Sequence, residues 1–313
     1  MKEHLERVGT EWVVKEGSPL YEEALKCFYG AWGTDKAPIF PGPQPVSIER
    51  KHFPTLMKNK YMVCEKTDGV RTALMAFTFG ETKKVTLLVN RALRMTYLSV
   101  NLPRSAHKGT LLDCELIDNK LMVYDGVWVS GEDIKSKNLT ERMNTVDLFV
   151  KGILRMAKDP VRVKVKQMVP LKELEKYYTN VIPTLPYETD GLIFTPVNEP
   201  IRLGTHKTMF KWKPKDLNTI DFQVKWHGIK CALYVQEKGR LIFESELPDP
   251  TPFVDMLKED TIVECKYITK EYPMWWKPTG VRPDKTYPNS RFTFYRTLVN
   301  IKEDIQWNEF TRL

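Results

Sequence analysis

From Tyr61 to about Asp125 the sequence consists of short apolar runs separated by turn residues. The runs read YMVCE, KVTLLV, TLLDCEL and KLMVYDGVWV, and none has the length of a typical amphipathic helix. Runs of this length and composition are typical of β-strands. We therefore expect a mixed sheet at the centre of the fold.

Helices are predicted on either side of these runs. Ser18 before Pro19 is a typical helix start, and Asn138 followed by Glu141 predicts a second helix that begins with a capping box. A third helix is predicted over Pro170–Val181, after which GLIFTPV and MFKWKP return to strand. The apolar residues that share one face of the first helix are Leu20, Ala24, Leu25, Phe28 and Trp32. This part of the chain is therefore predicted to mix α and β structure.

Beyond Pro214 the pattern changes to alternation, with Ile220, Phe222, Val224 and Trp226 on one strand face. CALYV, RLIFE and TIVECKYI follow at regular spacing, which predicts a small all-β barrel or sandwich. The segment from Phe292 to Phe310 is predicted to be helical. We expect one domain over residues 1–215, a second over 216–299, and a C-terminal helix at about 300–313 that packs back on the first.

Composition narrows the classes of function. The 313 residues include 48 Lys and Arg against 40 Asp and Glu, and the net charge of +8 favours polyanionic partners. Five scattered cysteines without a Cys-x-x-Cys pair argue against a disulfide framework and a zinc site. The first ten residues, MKEHLERVGT, have no apolar core, and no stretch has the length of a spanning helix. We expect a protein that is not secreted and does not contact a membrane.

Two common nucleotide-binding patterns, G-x-x-x-x-G-K-[ST] and G-x-G-x-x-G, do not occur in the sequence. A bound nucleotide would therefore be held by side chains. The residues KTDGVR, from Lys66 to Arg71, directly follow the predicted strand YMVCE. Taken alone, the pattern also fits a strand that ends in a charged Asp-Gly turn.

Further charged groups follow in a fixed order. Asp113 and Glu115 are two residues apart, which places both carboxylates on one strand face. Asp190 precedes a glycine in TDGLI, and KWK and RPDK come later. Each group alone is typical of a solvated edge, but chance does not readily explain the ordered set.

The set, from about Phe40 to Ile305, resembles the covalent nucleotidyltransferase superfamily, which contains mRNA capping guanylyltransferases and ATP-dependent polynucleotide ligases. It is most similar to the compact single-chain capping enzymes of large DNA viruses such as the Chlorella virus. The residues PGPQPVSIER, Pro41–Arg50, are similar to a stretch typical of capping enzymes and not expected in ligases. The resemblance implies an α+β fold, in which a nucleotidyltransferase domain of ATP-grasp-like mixed sheets and helices precedes an all-β OB-fold domain.

The resemblance also implies roles for individual residues. Lys66 would attack the α-phosphate of GTP, form a phosphoramidate and expel pyrophosphate. An amine attacks only when it is unprotonated, and the neighbouring cations Lys211 and Lys213 would favour the unprotonated form of Lys66. Both would also neutralise charge on the α-phosphate. Glu115 and Asp190 would be oxygen ligands of Mg²⁺ or Mn²⁺, with Glu115 as an alternative ribose contact.

The remaining GTP contacts implied by the resemblance lie throughout the chain. Tyr124 would stack on guanine with Ile193 on the opposite side, and Lys166 would contact the guanine edge, with Lys164 as the alternative. Arg282, Asp284 and Lys285 would reach the β- and γ-phosphates only after the second domain closes over the first. Asp221, near the hinge, would contact GTP or have a structural role. Asp68, Gly69, Arg71 and Arg91 complete the set, the arginines contacting ribose and phosphates.

One residue departs from the family pattern, because Cys114 stands where the family has glycine between the two carboxylates. Its side chain should point away from Glu115 and be tolerated, since adjacent strand residues face opposite sides.

Three functions are consistent with these residues. The first is an mRNA guanylyltransferase that transfers GMP to the 5′-diphosphate end of RNA and makes a GpppN cap. The second is an ATP-dependent DNA or RNA ligase, and the third a non-catalytic RNA-binding module in which Trp275 and Trp276 stack on bases or belong to the core. A guanylyltransferase implies a separate RNA triphosphatase and a separate cap methyltransferase, with RNA polymerase as a further candidate partner. Its expected location is the nucleus of a cell, or a viral replication site in the nucleus or cytoplasm.

Overall fold

The computed structural model describes residues 1–35, 40–268, 275–283 and 285–313. The contacts within the chain form two units. The first contains Met1–Val46 and Thr55–Lys211, and the second contains Ser47–Pro54 and Trp212–Leu313. Helices and sheets occur together in the first unit, so the predicted α+β class is confirmed. The domain boundary after residue 215 stays a prediction.

The first sheet of the first unit has nine strands among the described residues. Their order is β1-β2-β7-β6-β5-β8-β9-β10, and β11 pairs in parallel with β9. β5 lies between β6 and β8 and was not predicted, although it begins within the KTDGVR motif. The strands are β1 (Leu5–Val8), β2 (Glu11–Val14), β5 (Val70–Phe79), β6 (Lys83–Asn90), β7 (Met95–Tyr97), β8 (Thr110–Ile117), β9 (Lys120–Val129), β10 (Glu132–Asp133) and β11 (Arg162–Val165).

The second sheet of this unit has the order β12-β4-β13-β14-β3. β4 lies between β12 and β13, so the strand that ends in Lys66 and Thr67 is held on both sides by backbone hydrogen bonds. The strands are β3 (Gln44–Ser47), β4 (Tyr61–Thr67), β12 (Val169–Pro170), β13 (Thr189–Pro196) and β14 (Thr205–Trp212). The predicted strand GLIFTPV overlaps β13, and the first four residues of MFKWKP form the second half of β14.

Two helices cover the first sheet, and both begin where the sequence predicts. Helix α1 (Pro19–Trp32) is capped by Ser18, whose hydroxyl accepts a hydrogen bond from the Tyr21 N–H. Helix α3 (Leu139–Lys151) begins with the predicted capping box between Asn138 and Glu141. The apolar face of α1 packs in one core cluster and that of α3 in another, and both clusters include residues of β5.

The helix predicted over Pro170–Val181 is not a regular helix. The segment begins with a 3-10 turn, which is followed by a single α-helical turn, α4 (Leu174–Lys176). A π-helical turn and a second 3-10 turn follow, and the latter ends at Thr184. β-Branched residues restrict side-chain rotamers in a helix, and Pro183 prevents regular continuation. The segment nevertheless buries Leu174 and Tyr177, which fix it against the protein interior.

The second unit contains one antiparallel sheet with the order β17-β16-β15-β18-β19. The strand that comes first in the sequence, β15, pairs with β16 and with β18, and one face of the sheet forms an apolar core. The predicted β-rich second region is therefore confirmed, and the OB-fold stays a prediction. The strands are β15 (Thr219–His227), β16 (Lys230–Glu237), β17 (Arg240–Leu247), β18 (Ile262–Tyr267) and β19 (Trp276–Val281).

The predicted C-terminal helix is shorter than expected. Helix α5 (Arg291–Glu303) ends at Asp304, which adopts a left-handed conformation with φ 44°, and a separate 3-10 helix spans Trp307–Arg312. Both helices belong to the second unit, together with residues 47–54. Residues 53 and 54 are the first two residues of the short helix α2 (Phe53–Lys58). Trp212 Nε1 donates to the Ile305 carbonyl at 2.7 Å, and this contact holds the end of the chain.

The two adjacent tryptophans have different environments. Trp276 is 5% exposed and packs edge-on against Phe222, so the core interpretation is correct for it. The neighbouring Trp275 is 51% exposed. Within the described ranges, no helix combines the length and the apolar character that a membrane crossing needs.

Candidate functional site

Lys66 and Asp190 are 124 residues apart in sequence and form an ion pair in the first unit. Lys66 Nζ lies 2.6 Å from Asp190 Oδ1. β4 and β13 pair side by side, and a bulge between Thr189 and Leu192 interrupts their register at Asp190. Two of the predicted residues are therefore brought together by strand pairing.

The Asp68-Gly69 turn after Lys66 is close to strand β8. A Cβ atom at Gly69 would lie 2.5 Å from the Leu116 carbonyl oxygen and 3.1 Å from Glu115 Cγ. Asp68 is exposed, and its N–H donates to the Glu188 carbonyl at 3.1 Å. Glycine is thus required here by the close approach of backbone that carries Glu115.

We expect Gly69→Ala to lower the free energy of unfolding by about 1–3 kcal/mol, because the new methyl group displaces β8 or the turn. Urea denaturation measures this change. Gly30→Ala is the matched control. Gly30 lies in α1, where an added methyl group would have no neighbouring atom within 4 Å. Alanine is also favoured over glycine in a helix by roughly 0.5–1 kcal/mol. Equal stability of the Gly69 variant and the wild type would contradict the close approach.

Glu115 lies on β8 directly opposite Arg71 on β5. Burial raises the pKa of the Glu115 carboxyl, and the charges of Lys166, Lys66 and Arg71 partly oppose that shift. The direction shows that burial outweighs the surrounding positive charge. A further cation near Glu115 would therefore stabilise its ionised form.

Arg71 is held by a bidentate ion pair. Its Nε and Nη2 atoms donate to the two Asp113 carboxylate oxygens at 3.0 and 2.6 Å, and Tyr124 Oη donates to Asp113 Oδ1 at 2.6 Å. Burial disfavours the Arg71 charge, but the Asp113 carboxylate raises its pKa above the usual value. Asp113 thus positions both the predicted phosphate or ribose contact and the predicted guanine-stacking ring.

The segment PGPQP contacts both predicted arginines. Arg71 Nη1 donates to the Pro43 carbonyl at 2.7 Å, and Arg91 Nη2 donates to Gln44 Oε1 at 2.7 Å. A Cβ atom at Gly42 would overlap Arg71 Nη2, so only glycine allows this approach. Of the proline-rich stretch that precedes β3, residues 38 and 39 lie outside the described residues.

Lys166 is buried, whereas the alternative, Lys164, is exposed. Lys166 Nζ lies 3.4 Å from Oε1 of Glu65, a residue that the sequence reasoning did not select. Glu65 is 1% exposed and directly precedes Lys66. The only available sequence signal was a charged residue within an otherwise apolar strand.

Ile193 and Tyr124 occupy different sheets. Ile193 pairs with Cys64 in the register of β13 and β4, so it shares a sheet face with Lys66, two residues further along β4. Tyr124 lies on β9 at an irregularity in the pairing with β8. Burial raises the pKa of the Tyr124 hydroxyl well above its usual value, so this group remains a hydrogen-bond donor to Asp113.

The other predicted residues lie at the end of β14 or in the second unit. Lys211 is on β14, beside β13, and Lys213 follows β14 directly. Arg282 Nη1 contacts Asp221 Oδ1 at 3.1 Å and Glu264 Oε1 at 3.7 Å, and Lys285 is exposed. Asp284 lies outside the described residues. Their predicted phosphate contacts stay predictions.

Cys114, the departure from the family pattern, is fully buried in the core cluster that includes helix α3. Glu115 is only partly buried, on the opposite side of β8. The expected orientation of the cysteine away from Glu115 is therefore confirmed. Burial raises the pKa of its thiol well above the usual value, so the group is an inert core residue.

The carboxylates of the site fit a magnesium ion that also binds substrate phosphates. Within the described part of the chain, no group of three or more His, Cys, Asp or Glu residues could hold a metal ion by itself. Mg²⁺ usually takes one or two protein carboxylates together with phosphate oxygens and water. Glu115 and Asp190 meet that requirement, since both approach Lys66.

Comparisons with known proteins identify the family of the chain. The family model described as "mRNA capping enzyme, catalytic domain" matches residues 15–215. The chain is 30% identical to the "mRNA-capping enzyme subunit alpha" of Neurospora crassa over 215 residues, or 59% of this chain and 54% of that protein. It is 32% identical to the protein of the same name in Yarrowia lipolytica over 316 residues, or 85% and 80%.

The chain thus spans about half the length of the Neurospora relative. Among solved structures, a "mycobacterial DNA ligase D complexed with ATP and MES" covers 80% of this chain and 95% of its own, with 13% identity and a TM-score of 0.44.

Proposed function

Because the chain belongs to the mRNA capping enzyme catalytic domain family, we propose that it is a GTP:RNA guanylyltransferase. It would transfer GMP from GTP, through a covalent lysyl-GMP intermediate, to the 5′-diphosphate end of RNA. The observation that carries this proposal is the placement of Lys66. Its amine lies at the end of a paired strand, with the carboxylate of Asp190 at 2.6 Å and the charge of Glu115 nearby.

In the first step the Lys66 amine attacks the α-phosphorus of GTP. A P–N bond forms as the P–O bond to pyrophosphate breaks, pyrophosphate leaves, and the nitrogen releases one proton to solvent and keeps one in the phosphoramidate. An ammonium group has no lone pair for this attack. The Lys66 ammonium group must therefore lose a proton before the attack.

Glu115 and Asp190 would hold the metal ion, Mg²⁺ or Mn²⁺, which supplies positive charge to the α-phosphate when bound. Lys211 and Lys213 would add positive charge from β14 and the residue just beyond it. Asp68, Gly69, Arg71 and Arg91 would contact ribose and phosphates. The resemblance adds Asp221, Arg282, Asp284 and Lys285 to the GTP contacts.

Guanine would be recognised by groups that the structure already orients. Asp113 fixes the Tyr124 ring by a 2.6 Å hydrogen bond, and Ile193 lies on the Lys66 face of β13. Lys166 would donate to the O6 edge of the base. A buried donor at that edge favours guanine over adenine, because adenine presents an amino group there.

In the second step a β-phosphate oxygen of the RNA attacks the α-phosphorus of the lysyl-GMP. The P–O bond forms as the P–N bond breaks, and Lys66 regains its proton. The 5′-diphosphate acceptor requires an RNA triphosphatase activity, and a cap methyltransferase would act on the product. The name "subunit alpha" of the Neurospora protein supports a multi-subunit arrangement. We propose a nuclear location in a cell, or a viral replication site, with RNA polymerase as a further partner.

The test is to incubate the protein and Mg²⁺ with α-labelled GTP or α-labelled ATP and to separate the products on a denaturing gel. We expect label on the protein from GTP only, and transfer of that label to 5′-diphosphate RNA but not to a 5′-monophosphate at a nick. Label from ATP that moves to a nick would establish the ligase alternative. No label from either nucleotide would contradict both activities and leave an RNA-binding module.

A further inference from the structure

Glu65 is a buried carboxylate that the proposed reaction does not use. It is 1% exposed, and four other side chains of the first unit surround its carboxylate. Tyr177 Oη donates to Oε2, Tyr187 Oη donates to Oε1 at 3.0 Å, and Thr67 Oγ1 donates to Oε1 at 3.3 Å. Lys166 Nζ lies 3.4 Å from Oε1.

Such a site is costly unless its charge is compensated. An ionised carboxylate loses its hydration on burial, and three hydroxyl donors together with one ammonium group replace that hydration. The donors come from three separate parts of the chain: Thr67 is two residues away, Lys166 precedes β12, and the two tyrosines are 112 and 122 residues away. The irregular helical segment at 171–184 contributes Tyr177 and is fixed by this contact.

The contacts around Glu65 restrict the conformation of the Lys166 side chain. Lysine has four rotatable side-chain bonds and takes many conformations when it is unrestrained. Lys166 is 5% exposed, and its charge also acts on the nearby carboxylate of Glu115. Its ammonium group is therefore held beside the Glu65 carboxylate, which three hydroxyl groups fix in place.

We propose that Glu65, held by Tyr177 and Tyr187, is a positioning residue that aims the Lys166 ammonium at the 6-oxygen of the bound base and thereby sets the selectivity for guanine. This rests on the proposed function. Glu65 itself touches neither nucleotide nor Lys66 in this scheme, because Thr67, Tyr177, Tyr187 and Lys166 surround its carboxylate. Loss of its charge would leave Lys166 able to adopt other conformations.

The experiment compares GTP with 2-aminopurine riboside triphosphate, which lacks the 6-oxygen. The rate of covalent labelling is measured against nucleotide concentration for the wild type, Glu65→Gln, Lys166→Met and the double variant. We expect each single variant to lower kcat/KM for GTP roughly 10-fold to 100-fold, mainly through KM, as for a lost charge-assisted contact. The value for the analogue should change less than about 3-fold.

The double variant should be no worse than Lys166→Met, because a residue that acts only through Lys166 has no further effect once Lys166 is absent. Lys164→Met is the matched control, an exposed lysine two residues earlier, and should match the wild type. If Glu65→Gln does not fold, Tyr187→Phe removes one hydrogen bond to Glu65 and should shift the nucleotide preference in the same direction by a smaller factor.

Equal losses with both nucleotides, or additive effects in the double variant, would overturn the proposal and assign Glu65 a structural role. Failure of the proposed function is separately recognisable, because the wild type would then form no GTP adduct. In that case the equilibrium affinities for GTP and the analogue still decide the role of Glu65: a preference for GTP that Glu65→Gln abolishes supports it, and an unchanged preference excludes it.

Discussion

Lys66→Arg should abolish covalent labelling by GTP, with a loss of at least about 10³-fold, whereas the protein remains folded. The guanidinium stays charged at every accessible pH and so has no lone pair for attack at phosphorus. It can still pair with Asp190, which keeps the local charge balance of the folded protein. Phosphoramidate formation is measured on a denaturing gel, and thermal unfolding should move by no more than about 2–4 °C.

The identity of the nucleophile is tested on the wild type by peptide mapping of the labelled protein. Label should be found in the peptide that contains Lys66 and should be released by acid, as expected of a P–N bond. Lys166 and Lys211 are two further lysines that the resemblance assigns to the site. Label on either of them, or retention of about a tenth of the wild-type rate in Lys66→Arg, would refute the assignment.

Local patterns identified the strand that carries Lys66 and the helix starts, because these depend on residues close in sequence. Ser18 and Asn138 cap the helices that their side chains predict. β5 was missed for a local reason as well. Its residues 72–77 are buried on both faces, so the strand lacks the polar-apolar alternation by which a half-buried strand is recognised.

The site was predicted only in part, because several of its contacts depend on tertiary structure. The resemblance implied one site that contains Lys66 as nucleophile and Asp190 as metal ligand, whereas their ion pair was not predicted and depends on strand pairing. Glu65 and its two tyrosines carry no comparable pattern, since Glu65 lies more than 100 residues from both, and Tyr177 meets it only when the segment at 171–184 folds. Asp113 was seen as one of two carboxylates, but its role in holding Arg71 required the register of β5 and β8.

Arg71→Lys should lower both stability and labelling, the former by about 3–5 kcal/mol and the latter by at least about 100-fold. Lysine cannot form the bidentate pair, so Asp113 is left as a buried carboxylate with an incomplete partner. The hydrogen bond from Arg71 to the Pro43 carbonyl is lost at the same time, and Tyr124 loses the fixed orientation of its acceptor. Denaturant unfolding and labelling kinetics at a temperature where the variant is folded measure the two effects.

Arg142→Lys provides the matched control. Arg142, on helix α3, forms the same kind of buried bidentate pair with Asp125, at 2.8 and 2.9 Å. We expect a similar loss of stability from this variant but a labelling rate within about 3-fold of the wild type, since Arg142 donates to Asp125 and to the Lys137 and Glu199 carbonyls, which are not predicted GTP contacts. If the two variants lose labelling equally, the effect of Arg71 is on folding alone. A loss confined to Arg71→Lys would instead show that the pair with Asp113 organises the nucleotide site, and that the stability of one ion pair is here tied directly to the position of the stacking ring.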